Sequence, residues 1–128
     1  MTTFRAAVEA RDLAAATALL ADDVVFRSPV AHKPYPGKAI TSAILHTVIE
    51  VFADFHYTRE IHDGADHVLV FEAKVEDLEV TGCDILRYDE DGKIVDFMVM
   101  VRPLRAAEAL ARQMGARFEE IQARAAGS

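Results

Sequence analysis

Phe55-His56-Tyr57-Thr58-Arg59-Glu60-Ile61-His62-Asp63-Gly64 is the stretch in which the pattern of the chain changes. Before it, apolar residues recur at intervals of three and four. Within it they alternate, with Phe55, Tyr57, Arg59 and Ile61 on one side of a strand and His56, Thr58, Glu60 and His62 on the other. Asp63-Gly64 then reads as a tight hairpin, because glycine reaches the positive φ such turns demand. A second strand follows over residues 68–76. Its Leu69, Phe71, Ala73 and Val75 share a face, opposite a solvated stripe of Glu72, Lys74 and Glu76. Residues 78–88 give a third strand, Asp91-Gly92 a further turn, and residues 94–101 a fourth strand that is apolar on both faces. Consecutive strands joined this closely form an antiparallel meander and cannot build a doubly wound parallel sheet.

Upstream, Lys38 to Phe52 reads as a helix. Ile40, Ile44, Val48, Val51 and Phe52 make its apolar stripe, widened by Leu45 and Ile49, and Ser42, His46 and Glu50 mark the wet side. Residues 29–37, with Pro34, Pro36 and Gly37 near their end, are expected to be a loop without regular structure. Val24 to Ser28 is a short strand stopped by Pro29. Thr3 and Asp12 are placed to cap two short helices or one kinked helix, whose apolar positions include Phe4, Ala7, Val8, Leu13, Ala16, Leu19 and Leu20. Downstream, Pro103 suits the first position of a final helix. That helix carries the stripe Leu104, Ala107, Ala111, Met114, Phe118 and Ile121, has Gly115 as a weak point, and is expected to fray over residues 123–128. Helices gathered on one side of an antiparallel sheet give an α+β layer fold.

The chain has 128 residues, 52% hydrophobic, enough for one domain spanning 1–128 with its own core. Its net charge of −7 and the absence of a basic run argue against nucleic acid and against an anionic membrane surface. The single cysteine, Cys83, excludes an intrachain disulfide and suits a reducing compartment. The first residues lack a signal-peptide pattern and no apolar run reaches membrane-spanning length, so the expected location is cytoplasmic.

Three local patterns, in this order of elements, resemble the nuclear-transport-factor-two-like superfamily. They are Leu19-Leu20-Ala21-Asp22-Asp23-Val24-Val25-Phe26, then Ser28-Pro29-Val30 with Pro36-Gly37-Lys38, then Asp84-Ile85-Leu86-Arg87-Tyr88-Asp89-Glu90-Asp91-Gly92-Lys93-Ile94. The resemblance runs over about residues 4–115 and is similar to SnoaL-like polyketide cyclases, ketosteroid isomerases and limonene epoxide hydrolases. It implies a cone of strongly curved antiparallel sheet wrapped by three to four helices around an apolar pocket. It also implies a small apolar ligand, no cofactor, and a homodimer formed through the outer face of the sheet.

Asp84 is the strongest candidate for a functional group. On its strand it shares a face with Leu78, Val80, Gly82, Leu86 and Tyr88, so it is the one charge in an apolar row, with a small gap expected beside it at Gly82. A carboxyl facing an apolar cavity has a raised pKa and, when protonated, can donate a hydrogen bond to a ligand oxygen. In the resemblance it falls at the isomerases' oxyanion-hole aspartate. The alternative is a carboxylate that only accepts bonds from a neighbouring tyrosine, histidine or backbone group. The rest of the isomerase set is absent. Ser28 stands where those enzymes carry the aspartate base, and Phe4 stands where they carry an oxyanion tyrosine. The acids that epoxide hydrolysis needs are also missing, since the matching place on the last strand reads Phe97-Met98-Val99.

His32, with Lys33 and Tyr35, lies where relatives close one end of the cavity, as a weak catalytic candidate or a solvated loop residue. Tyr57 either aims its hydroxyl into the cavity or is a plain core tyrosine. The expected pocket lining is Phe4, Phe26, Ser28, Tyr35 and Tyr57, with Phe71, Gly82, Leu86, Phe97 and Val99. Arg59 reads as a charge that breaks the apolar face of its strand. His56 and His62 share a face too far apart for one ion, and His62 and His67 flank a turn, so no metal site is expected. Three readings follow: an isomerase, cyclase or lyase-type enzyme using Asp84 as acid or hydrogen-bond donor, a binding module for a small apolar ligand, or a dimerising scaffold.

Overall fold

A computed structural model describes residues 2–127. Helices α1 (Phe4–Glu9) and α2 (Leu13–Ala18) lead into strand β1 (Leu20–Arg27). There follow β2 (Tyr35–Pro36), α3 (Lys38–Val51), β3 (Ala53–Asp63), β4 (Asp66–Val75), β5 (Leu78–Tyr88), β6 (Ile94–Arg102), α4 (Leu104–Ala116) and α5 (Phe118–Ala126). The strands form one curved, open six-stranded sheet in the order β2-β1-β6-β5-β4-β3. The antiparallel meander from β3 to β6 is present, and β1 joins its far side parallel to β6. The fold is α+β. No helix among the described residues is long and apolar enough to cross a membrane.

Local chemistry sets most of these elements. The Thr3 hydroxyl accepts from Ala6 N–H at 3.1 Å and the Asp12 carboxylate from Ala15 N–H at 3.0 Å, so each short helix begins on a side-chain cap. Gly64 and Gly92 take the positive φ of 59° and 78° that their hairpins need. The inner face of the sheet carries Leu69, Phe71, Ala73, Val75, Val80 and Leu86, all buried, and α1, α3 and α4 close over it.

Several expectations are corrected. β1 begins at Leu20, not Val24, because Leu20 pairs with Ile94 and Leu19 C=O accepts from Ile94 N–H at 2.8 Å. The loop after Pro29 contains β2, in which Tyr35 pairs with Phe26, and Pro36 is tolerated because this strand is the sheet edge. Ile94 is in the core because the register shifts between Arg87 and Tyr88, bringing Ile94 opposite Tyr88. The final helix is two helices, broken at Arg117 rather than at Gly115. Its buried face is Ala106, Ala109 and Leu110, and Leu104 is exposed.

Within the stretch 123–128 expected to fray, helix continues through residue 126, and Ser128 lies outside the described residues. α5 runs to Ala126 and buries Ile121. Arg117 and Arg124 both reach Glu50 of α3, at 2.7 and 3.1 Å. Arg124 also donates to Thr47 Oγ1 at 2.9 Å. This cover accounts for the burial of Thr47, which, like the equally buried Thr41, donates its hydroxyl back to the carbonyl four residues earlier at 2.8 Å.

Candidate functional site

Asp84 and Tyr57 meet at the base of an interior cavity. β5 aims Asp84 at the inner face between Gly82 and Leu86, as the period of two requires, and β6 sets Val99 opposite it. Tyr57 reaches that place from β3. Its hydroxyl donates to Asp84 Oδ2 at 2.8 Å, and both side chains are buried. Arg5 helps hold that segment of β3 by donating to Tyr57 C=O at 3.5 Å and to Glu60 Oε1 at 3.3 Å.

The cavity measures about 80 Å³. Phenylalanine dominates its wall: Phe4, Phe26, Phe52, Phe55, Phe71 and Phe97 all line it. Phe4 packs edge-on to Phe97 at 5.4 Å, and Phe55 lies 5.0 Å from Tyr57 and 4.9 Å from Phe71. α3 adds Ile44, Leu45, Val48 and Ile49, and α4 adds Leu110 and Met114. Ser28, Pro29 and Val30 border it just after β1. Apart from Ser28, Tyr57 and Asp84 are the polar side chains of the lining among the described residues.

Burial sets the charge state of this pair. Asp84 has lost its water, which pushes its carboxyl up to about 7, while the Tyr57 hydrogen bond pulls the other way by favouring the ionised form. Burial likewise raises Tyr57 well above its ordinary value, and the neighbouring Asp84 charge and hydrogen bond add to that rise. Near neutral pH the carboxyl is therefore divided between its neutral and ionised forms and can give or take a proton, beside a hydroxyl that stays protonated.

The remaining candidates fall as follows. Phe4, Phe26, Ser28, Tyr57, Phe71, Phe97 and Val99 border the cavity with Asp84. Tyr35, Gly82 and Leu86 do not. Tyr35 is taken up by β2, and Leu86 is fully buried in the core. The gap expected at Gly82 is filled: a Cβ there would lie 2.5 Å from Phe71 Cζ and 2.6 Å from Met100 O. Ser28 Oγ accepts from Val30 N–H at 3.1 Å. His32 and Lys33 are exposed and stand outside the cavity, whose border in this loop is Pro29 and Val30 instead.

A bulge between Tyr57 and Arg59 corrects the reading of β3. It turns Arg59 and Ile61 to the outer face, so Arg59 does not interrupt an apolar row, and it turns Glu60 and His62 to the inner face. His56 and His62 therefore lie on opposite faces. His62 stacks on His67 across the hairpin at 3.7 Å and contacts Glu60. Among the described residues, no three His, Cys, Asp or Glu side chains are grouped to hold a metal ion. The α3 and α4 wall of the cavity was not foreseen, although the helical stripe at Ile44, Leu45, Val48 and Ile49 carried the signal.

Comparison with known proteins agrees with the fold. The SnoaL-like domain family matches residues 1–97. The chain is similar to the structure of a steroid delta-isomerase from Pseudomonas aeruginosa, at 48% identity and a TM-score of 0.85, covering 91% of this chain and 87% of that one. It is also similar to an uncharacterised cystatin-like-fold protein from Silicibacter pomeroyi, at 38% identity and 0.81, covering 84% and 77%. At 17% identity and 0.61, an NTF2-like protein of unknown function from Cytophaga hutchinsonii shares the fold, covering 78% and 84%. Among curated proteins none matches.

Proposed function

This chain belongs to the SnoaL-like domain family, and from that footing we propose that it binds a small apolar molecule carrying one carbonyl or hydroxyl oxygen. The oxygen accepts a hydrogen bond from the neutral form of Asp84. The observation that carries this reading is the buried Tyr57–Asp84 pair, at 2.8 Å, inside a wall of phenylalanine. A lone polar pair in an apolar cavity fixes a ligand's orientation, while the rings supply its affinity. Size narrows the class. At about 80 Å³ the space is smaller than the roughly 150 Å³ apolar cavity that takes up benzene, so one small ring suits it.

Binding should follow the proton on Asp84. With a carboxyl at about 7, its neutral fraction falls about tenfold from pH 6 to pH 8. The affinity for cyclopent-2-enone, measured by titration against the tyrosine NMR signals, is expected to fall by the same factor. In Asp84→Asn the amide donates at every pH, and the affinity should be flat. A wild-type affinity unchanged between pH 6 and pH 8 would sink the proposal.

A second reading is enone isomerisation, supported by the 48% identity to the P. aeruginosa steroid delta-isomerase. A carboxyl near 7 is poised to take a proton from one carbon and return it to another, with Tyr57 polarising the oxygen. Ser28, whose Oγ is engaged with Val30 N–H, supplies no base, so Asp84 would do both transfers. Turnover of a small β,γ-unsaturated ketone that Asp84→Asn binds but does not convert favours this reading. Binding without conversion by the wild type favours the first.

A further inference from the structure

The inner face of the sheet holds a second space. A groove of about 480 Å³ opens between the start of α1, the β3–β4 hairpin and the β5–β6 turn. Its sides include Arg5, Glu60, His62, His67 and Tyr88, and Leu69 and Leu19 are among its apolar residues. His67 stacks on His62 at 3.7 Å and packs against Tyr88 at 4.6 Å, so three rings stand in a row across the hairpin.

The groove begins one side chain from the candidate site. Asp84 of β5 pairs with Leu69 of β4, and Leu69 pairs with Glu60 of β3, so the three stand in one row across the inner face. Asp84 borders the cavity, and Leu69 and Glu60 border the groove. Among the described residues, Phe4 alone lines both spaces. Its ring is 2% exposed and lies edge-on to Phe97. Its place is fixed by its neighbour, since Arg5 ties α1 to β3 through Glu60 and Tyr57 C=O.

We infer that Phe4 is a partition, and that it is the residue limiting the ligand to a single ring. With Phe4 in place, a molecule held at Asp84 ends against its ring. With a smaller residue there, cavity and groove become one channel, and a two-ring oxygenated compound extends past Leu69 to the rings of His67 and Tyr88. This rests on the reading of the cavity as a ligand site and names the residue that sets ligand length.

The test compares cyclopent-2-enone with 2-naphthol at pH 6, on the wild type, Phe4→Ala and the milder Phe4→Val, with folding checked by circular dichroism. Phe55→Ala is the control, because Phe55 borders the cavity and not the groove. Binding is read by titration, and location by the ring-proton NMR signals of His62 and His67. Both Phe4 variants are expected to bind 2-naphthol at least ten times more tightly than the wild type and to shift the His67 signal. Phe55→Ala is expected to leave that signal in place. The inference is overturned if 2-naphthol shifts His67 equally in the wild type, or if neither folded Phe4 variant gains affinity for it. Failure of the ligand-site reading shows separately, as cyclopent-2-enone binding that ignores the charge on Asp84.

Discussion

Asp84 has exchanged water for a phenylalanine-lined cavity and, among the described residues, one hydrogen-bond donor, Tyr57. That exchange ties stability to pH. Unfolded, the carboxyl titrates near 3.8, and folded it titrates at about 7. Between these values the folded chain keeps a proton that the unfolded chain has released. The contribution of this group is therefore fully present below the lower value, shrinks as pH rises, and is lost above the upper one. The span corresponds to something on the order of 4 kcal/mol. Asp84→Asn keeps an acceptor for Tyr57 and removes the ionisation. Urea unfolding at pH 5 and pH 8 should show the variant gaining on the wild type at the higher pH, and an unchanged difference would contradict the buried charge. Sequence periodicity alone made this residue legible, because a single charge in an apolar row needs only the register of one strand. That Tyr57 is its partner was not legible: a tyrosine is one of three kinds of partner expected for Asp84, and Tyr57 reads separately as a cavity hydroxyl or a core residue. The side chain lies across β4 from Asp84, and a strand read by itself does not reveal which neighbour it faces.

Turns and bulges show where strand patterns mislead. The β4–β5 hairpin turns on Glu76 and Asp77, both at positive φ, 51° and 68°. Neither is glycine, and the left-handed region costs most residues about 1 kcal/mol or more. Glu76 is also held by Arg112 at 3.0 Å and Gln113 at 2.8 Å, so this turn ties the meander to α4. Asp77 has no side-chain bond among the described hydrogen bonds, which makes it the position to relieve. Asp77→Gly is expected to raise stability by roughly 0.5–1 kcal/mol, measured as a higher urea midpoint at unchanged slope. A lower midpoint would mean that the turn is not strained. The hairpins at Asp63-Gly64 and Asp91-Gly92 announce themselves in sequence by their glycines, and this one does not. The bulge after Tyr57 is silent for the same kind of reason. An extra residue in β3 leaves no mark in composition, yet it reverses Arg59, Glu60, Ile61 and His62 relative to strict alternation. Helix α5 escaped because its short stripe reduces to Ile121, and its docking depends on Glu50, which a helix read alone assigns to solvent.

At the scale of the whole molecule the outer face of the sheet is left uncovered. The bulge adds Ile61 to it, and Val68, Val70, Cys83, Ile85, Met98 and Met100 continue it across β4, β5 and β6 by the cross-strand pairing. Ile61 and Met100 are 53% and 51% exposed. Ion pairs border the patch, Arg27 with Asp96 at 3.0 Å and Arg87 with Asp66 at 3.3 Å. Arg59 faces the same side beside Ile61, opposite Val70, so the charge on this face lies at its β3 border and in these pairs, around an apolar centre of the kind a protein interface has. We propose that a second copy of the chain covers this face about a two-fold axis, which brings the same apolar residues of each copy together. On these two proposals the inner side of the sheet serves a ligand and the outer side serves assembly. Sedimentation at micromolar concentration should give a dimer. Met100→Lys places a charge where the partner's apolar side chains would strip its water, a loss of several kcal/mol, and should shift the equilibrium to monomer without unfolding a chain in which this residue is half exposed. Cys83 supplies an independent reading. Its thiol lies in the same patch, so its labelling by a thiol reagent should slow as protein concentration rises in the wild type and not in Met100→Lys. Concentration-independent labelling together with a monomeric wild type would leave the outer face unpaired and remove the proposal.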